Sequence, residues 1–146
     1  MRLLHTLQNL AVSFWVGGAA LFTFLLTPTL FRSLDRDQAG LIVGLLFPDY
    51  FRWGLGCGLV ALACLLLTRG RNFRLHTAIV CVMLVINATQ ALVIEPRAAA
   101  IKQQIPSFMT TPPEHPLRQQ FKKLHAISAL GNLGVIGGGV ILIILL

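Results

Sequence analysis

The sequence predicts an all-α integral membrane protein, built as a bundle of four spanning helices. Hydrophobic residues make up 55% of the 146 residues and charged residues only 12%, whereas soluble domains carry roughly 25% charged residues. The mean hydropathy is +0.76. Four long apolar segments each supply the roughly 20 residues that one span requires, and none shows the strict alternation typical of barrel strands.

The spans are expected over about residues 6–28, 49–68, 73–94 and 124–146, within one membrane domain. Pro48 interrupts the second apolar segment, so the residues before it are expected to form a separate short helix at the membrane interface. The stretch "RAAAIKQQI" follows the third span and could form a second short helix lying on the membrane.

Glycine spacing predicts where these helices touch. Three pairs separated by four residues let backbones approach closely, which favours helix association in lipid. The pairs are Gly40 with Gly44, Gly54 with Gly58, and Gly134 with Gly138.

The net charge of +7 does not indicate nucleic-acid binding, because the twelve basic residues flank apolar segments and face lipid headgroups. With four spans, both termini share a side with the loop between spans two and three. That side carries four arginines, and the opposite side carries eight basic residues, so the positive-inside rule favours both termini outside. We predict a bacterial inner membrane as the location. The four arginines on the side of the termini are Arg2, Arg69, Arg71 and Arg74. The eight basic residues on the opposite side are Arg32, Arg36, Arg52, Arg97, Lys102, Arg118, Lys122 and Lys123.

One stripe of polar residues interrupts the fourth apolar segment. His125, Ser128 and Asn132 are three and four residues apart and therefore share a helix face. At the same end of the bundle lie several further polar or charged residues, namely Asp49, Arg52, Asn87, Gln90 and Glu95. Such a layer either fastens helices together by hydrogen bonds or holds a ligand, ion or proton, and the sequence leaves both interpretations open.

Two further histidines begin spans one and three on the terminal side. His5 and His76 could act as axial ligands of haem b, although no cofactor is predicted from two histidines alone. The chain contains no HExxH, CxxC, phosphate-loop or nucleophile-elbow motif, so the sequence does not indicate an enzyme and leaves the question open.

The chain resembles the transmembrane protein 205-like family, small four-helix membrane proteins whose bacterial members form a domain of unknown function. The resemblance covers nearly the whole chain and is carried by "HTLQNLAVSFWVGGAALFTFLLTPTLF", "AGLIVGLLFPDYFRWG" and "FKKLHAISALGNL". It implies the four-helix membrane fold and no defined activity.

The leading hypothesis is an accessory subunit of a membrane complex, or a binder of a small solute or lipid, with its polar layer around His125. The alternatives are a haem-binding redox protein that uses His5 and His76, and a small oligomeric transporter. The expected partners are the lipid bilayer and either other membrane proteins or further copies of the chain.

Overall fold

In a computed structural model, which describes residues 2–145, the chain forms four long helices and no strand. All four are long and apolar enough to cross a membrane, which confirms the predicted all-α, four-span class. They are α1 (Arg2–Ser33), α2 (Arg36–Thr68), α3 (Phe73–Gln103) and α4 (Pro116–Leu145).

The helices form a closed antiparallel bundle in chain order. Helix α1 packs against α2 and α4, and α3 packs against the same two neighbours. We call the end of the bundle that holds Arg2, Leu145 and the turn between α2 and α3 the terminal end. The other, the connection end, holds the α1–α2 turn and the long connection over residues 104–115.

Each helix extends beyond its predicted span, chiefly at the connection end. The short helix expected before Pro48 is not separate, because α2 continues through that proline from Arg36 to Thr68. The helix expected after span three forms, but it continues α3 directly as Glu95–Gln103. At 33 residues α2 is about 50 Å long, which exceeds a hydrocarbon core of about 30 Å.

Two π-helical segments, Leu21–Leu26 and Gln90–Ile94, precede prolines in α1 and α3. A proline inside a helix donates no N–H, and the wider π turn shifts the hydrogen-bond register just before it. The backbone N–H of Thr27 therefore reaches Phe22, and that of Glu95 reaches Gln90. This adjustment lets both helices continue past Pro28 and Pro96.

Glycines fit the helices together around a core of aliphatic side chains and Trp15. A methyl group added at Gly58 would lie 2.6 Å from Trp15, and one at Gly54 would lie 2.8 Å from its indole nitrogen. A methyl group added at Gly138 would lie 3.0 Å from Met83, whereas one at Gly134 would make ordinary contact with Ile86 at 3.6 Å.

The first predicted glycine pair has a different neighbour. Methyl groups at Gly40 and Gly44 would lie 3.3 and 3.5 Å from the ammonium nitrogen of Lys102. This pair therefore makes room for a charged side chain from α3. Two glycines outside the predicted pairs also make close contacts. A methyl group added at Gly139 would clash with Val16, and one at Gly131 would lie 2.8 Å from Gln90.

Candidate functional site

A cavity of about 710 Å³ lies at the connection end, and we call it the connection-end cavity. Its walls come from the end of α1, the first half of α2, the last turns of α3, the first turns of α4 and the connection. Its volume is within the range of about 300–1,000 Å³ that small-molecule sites occupy. The apolar lining includes Phe31, Val43, Phe47, Ile94, Ala98, Phe121 and Leu124.

Charged and polar side chains from three helices also line this cavity. Helix α2 contributes Arg36, helix α3 contributes Glu95 and Lys102, and helix α4 contributes His125 and Ser128. The two basic side chains outnumber the single carboxyl group, so the lining carries excess positive charge. The combination of apolar walls with a few polar groups is typical of a binding site.

Lys102 is held in place by the backbone of α2. Its ammonium group donates a hydrogen bond to the carbonyl of Gly40. Four residues further on, the carbonyl of Gly44 lacks its usual helical partner because Pro48 has no N–H. Both glycines line the cavity, so the backbone here is open to close approach by a polar group.

One side of the cavity faces the surroundings of the bundle. Leu41 and Leu45 belong to the lining, yet they are 60% and 70% exposed. Apolar side chains exposed on a spanning helix face lipid. A molecule could therefore enter the cavity laterally from the membrane.

The depth of the cavity follows from a charged pair on α2. Asp49 accepts a hydrogen bond from Arg52 at 2.9 Å, and the two side chains are 80% and 77% exposed. Exposed charges are costly in the hydrocarbon core, so this pair marks the boundary region of the membrane. The α2 residues that line the cavity begin at Phe47, two residues from this pair, and extend to Arg36 at the connection end. The cavity therefore starts at the membrane boundary and extends away from the hydrocarbon core.

The connection closes the outer side of the cavity. The carboxylate of Asp37 accepts hydrogen bonds from the hydroxyl of Ser107 and, at 2.7 Å, from the backbone N–H of Phe108. The guanidinium of Arg118 lies 5.4 Å from the Phe108 ring centroid and donates to the Phe108 carbonyl at 3.1 Å. Phe108 packs edge-on against Phe121, whose ring stacks parallel to His125 at 6.2 Å.

The predicted polar stripe divides between the cavity and the helix interfaces. His125 lines the cavity. The hydroxyl of Ser128 donates to the side-chain oxygen of Gln90 in α3 at 2.9 Å, and that of Tyr50 in α2 donates to Asn132 at 3.1 Å. The stripe therefore contacts two different helices, α2 and α3.

The other predicted site residues take three positions. Asn87 is buried and donates to the backbone carbonyl of Phe51 at 2.9 Å, which joins α3 to α2. Glu95 lines the cavity. Asp49 and Arg52 pair with each other at the surface and do not line it.

Arg36 and Lys102 are cavity residues that were not among the site residues predicted from the sequence. One signal for Lys102 was available, since it follows Glu95 by seven residues and therefore lies two turns further along the same helix face. No equivalent signal marks Arg36, which approaches the cavity only because α2 begins well before the predicted span.

A second cavity of about 280 Å³ lies at the terminal end, and we call it the terminal-end cavity. It brings together His5 and His76, the two histidines considered as haem ligands, with Gln8, Arg71 and Asn72. Among residues 2–145, no three His, Cys, Asp or Glu side chains cluster as a metal site. Ligation of haem b by His5 and His76 stays a prediction.

Four apolar helices, each long enough to cross a bilayer, define a multi-pass helical membrane protein that encloses a cavity at its connection end. Residues 10–107 match a family model described as "Domain of unknown function (DUF4149)", and the chain belongs to this family. The chain is also similar to an "Uncharacterized protein" from Aquifex aeolicus (strain VF5), at 46% identity over 55 residues.

That match spans 38% of this chain and 40% of the Aquifex relative. No solved structure matches the chain.

Proposed function

We propose that this protein binds a membrane amphiphile in the connection-end cavity, with its apolar tail on the lipid-facing side and its head at the charged end. The observation that carries this proposal is the cavity itself, which joins exposed leucines of α2 to charged side chains from three helices. This makes a lipid-like ligand a better fit than a fully water-soluble one.

The charges of the lining favour an amphiphile with an anionic head. Arg36 and Lys102 outnumber Glu95, and a phosphate or carboxylate group would balance the excess. Ser128 and His125 add further hydrogen-bonding groups. The Gly40 and Gly44 backbone leaves space beside Lys102 for this head.

The other roles considered from the sequence stay predictions. These are an accessory subunit, a homo-oligomeric transporter and a haem protein, in an inner membrane of a bacterium. Membership of the transmembrane protein 205-like family likewise stays a prediction. Binding of an amphiphile is preferred because the connection-end cavity supplies a space of ligand size.

The full chain is purified in a mild detergent, its bound lipid is removed and phosphatidylglycerol is added back. Native mass spectrometry then measures how much phosphatidylglycerol each variant retains. Gly44→Leu places a side chain in the cavity. A methyl group at this position would meet only Lys102, at an ordinary contact distance of 3.5 Å, so the helix itself can accept the substitution. Gly56→Leu is the matched control, because Gly56 is an exposed glycine of the same helix with nothing within 4 Å.

Wild type and Gly56→Leu are expected to retain one bound phosphatidylglycerol, and Gly44→Leu is expected to lose it. Equal retention by both variants would contradict the proposal, as would a wild-type protein that retains none. Lys102→Met separates head from tail recognition, since it keeps the apolar stem and removes the charge. Its expected result is weakened retention, with exposed Lys123→Met unchanged.

A further inference from the structure

The terminal end of the bundle is basic and carries no acidic side chain. Arg2, Arg69, Arg71 and Arg74 lie there, while all five acidic residues of the chain lie toward the connection end. The acidic residues are Asp35, Asp37, Asp49, Glu95 and Glu114. A field of one sign raises the local concentration of anions at this end.

The terminal-end cavity gives this charge a defined site. Helix α1 contributes His5 and Gln8, the turn contributes Gly70, Arg71 and Asn72, and α3 contributes Phe73 and His76. At about 280 Å³ the cavity is much smaller than the one at the connection end. It can hold a small polar group, whereas an acyl chain would have to lie outside it.

His76 is the first observation that indicates a ligand. Its side chain is only 8% exposed, and its Nε2 atom has no hydrogen-bond partner in the described chain. An unpartnered buried polar atom costs free energy, so most such atoms in folded proteins have a partner. A ligand in the cavity that His76 lines would supply that partner.

The start of α3 is the second observation. Asn72 occupies its N-cap position without a side-chain hydrogen bond to the helix. Among the first four N–H groups, those of Phe73 and His76 donate to the carbonyls of Gly70 and Asn72, which leaves those of Arg74 and Leu75 uncapped in the described chain. Uncapped N–H groups and the helix dipole together favour an anion at a helix start. Arg71 lines the cavity immediately before this start and adds a permanent cation.

We propose that the terminal-end cavity binds a phosphate-class oxyanion, held by Arg71, by His76 and by the N-terminal N–H groups of α3. The same chemistry would suit free inorganic phosphate or the phosphate of a lipid headgroup. This site is independent of the amphiphile proposed for the connection end, because the two cavities lie at opposite ends of the bundle.

The test uses the full chain in micelles of a maltoside detergent, which contains no phosphate, and measures inorganic phosphate binding by isothermal titration calorimetry. Arg71→Gln removes the exposed cation that lines the cavity, so folding is not at risk. Arg74→Gln is the matched control, since it removes an exposed arginine from the same end that does not line the cavity. We expect Arg71→Gln to weaken the affinity for inorganic phosphate at least about tenfold, because one charge-assisted hydrogen bond is lost. We expect Arg74→Gln to change this affinity by less than about threefold.

A second arm distinguishes the two sources of phosphate. The same variants are incorporated into nanodiscs with phosphatidic acid, and bound lipid is counted by native mass spectrometry. Binding of inorganic phosphate in the phosphate-free micelles supports a free anion, whereas selective retention of phosphatidic acid alone supports a headgroup. In either case Arg71→Gln must reduce binding and Gly44→Leu must leave this site unchanged.

Three results overturn the proposal. One is a wild-type chain that binds neither inorganic phosphate nor phosphatidic acid. Another is an equal loss in Arg71→Gln and Arg74→Gln, which would indicate only general surface charge. The third is a Soret band after addition of haem that is lost in His76→Ala, because His76 would then serve as a haem ligand.

Discussion

At the residue scale, two glycines on one helix show how strongly the bundle depends on local shape. Gly58 and Gly56 are only two residues apart on α2, but they point in different directions. A methyl group at Gly58 would meet the ring of Trp15, whereas one at Gly56 would meet nothing within 4 Å. A glycine that helix packing requires is therefore identified by its neighbouring side chains and not by its spacing in the sequence.

We predict that Gly58→Ala lowers the free energy of unfolding by about 1–3 kcal/mol, because Trp15 must shift in a packed core. Gly56→Ala should leave stability unchanged or raise it by up to about 1 kcal/mol, since alanine is the better helix former. Thermal unfolding in detergent micelles measures both. Similar melting temperatures for the two variants would contradict this packing.

The pair Ser128 and Gln90 gives a prediction about polar groups inside the bundle. Ser128 donates to the Gln90 oxygen, while the Gln90 side-chain nitrogen is buried without a partner in the described chain. Ser128→Ala should destabilise by about 0.6 kcal/mol, typical of hydrogen bonds between membrane helices, because it leaves both ends of the amide unpaired.

Adding Gln90→Met to Ser128→Ala should recover most of this loss, because replacing both partners by apolar groups is nearly neutral. The exposed Ser13→Ala on α1 serves as the control and should not change the melting temperature. A double variant less stable than Ser128→Ala alone would show that Gln90 has another partner.

At the element scale, the connection is fixed to the start of α2 by a single carboxylate. Asp37 accepts from Ser107 and Phe108, whereas Asp35, two residues earlier, accepts from the backbone N–H of Gln38 and caps α2. The two aspartates therefore have separable roles, one holding the connection and the other starting the helix.

Asp37→Ala should increase hydrogen exchange of amides in residues 104–115, because the connection loses its contact with α2. Asp35→Ala is the matched control. It should loosen the first turn of α2, at a cost of about 1 kcal/mol, and leave exchange in the connection unchanged. Hydrogen exchange followed by mass spectrometry on the full chain in micelles distinguishes these outcomes, and equal protection in both variants would contradict the tether.

The helices also show which features a sequence can predict. Continuous apolar runs are sufficient to predict four spans, since lipid requires each run to satisfy its own backbone. Pro48 is expected from the sequence to separate a short helix from the second span, yet α2 continues through it, and α3 passes Pro96 after a π-helical segment. Neighbouring groups and local π turns compensate for a missing N–H in membrane helices, and only the folded structure reveals this compensation.

The same extension explains what was missed at the candidate site. Arg36 and the first turns of α2 were expected to form a separate surface helix, so their position beside Lys102 and His125 could not be foreseen. Periodicity did place His125, Ser128 and Asn132 on one face, but it could not identify Tyr50 and Gln90 as their separate partners. Such contacts depend on the rotation of each helix, which spacing alone leaves undetermined.

At the scale of the whole molecule, the distribution of basic residues predicts an orientation. Eight lysines and arginines belong to the connection end and four arginines to the terminal end. Because cytoplasmic segments carry an excess of Lys and Arg, we expect the connection end in the cytoplasm and both termini outside. The connection-end cavity would then open at the inner leaflet, where anionic lipids attract basic groups.

Reporter fusions in a bacterial host test this orientation. A green fluorescent protein fused after Leu146 should stay dark and an alkaline phosphatase at the same place should be active, since each works on only one side of the membrane. Insertion of the same reporters after Glu114, an exposed residue of the connection, should give the reverse pattern. If instead the C-terminal fluorescent fusion is bright, the three arginines in the short α2–α3 turn and the first turn of α3 determine the topology. Arg69→Gln, Arg71→Gln and Arg74→Gln together should then invert it, whereas in the expected orientation this triple variant only increases the existing charge bias.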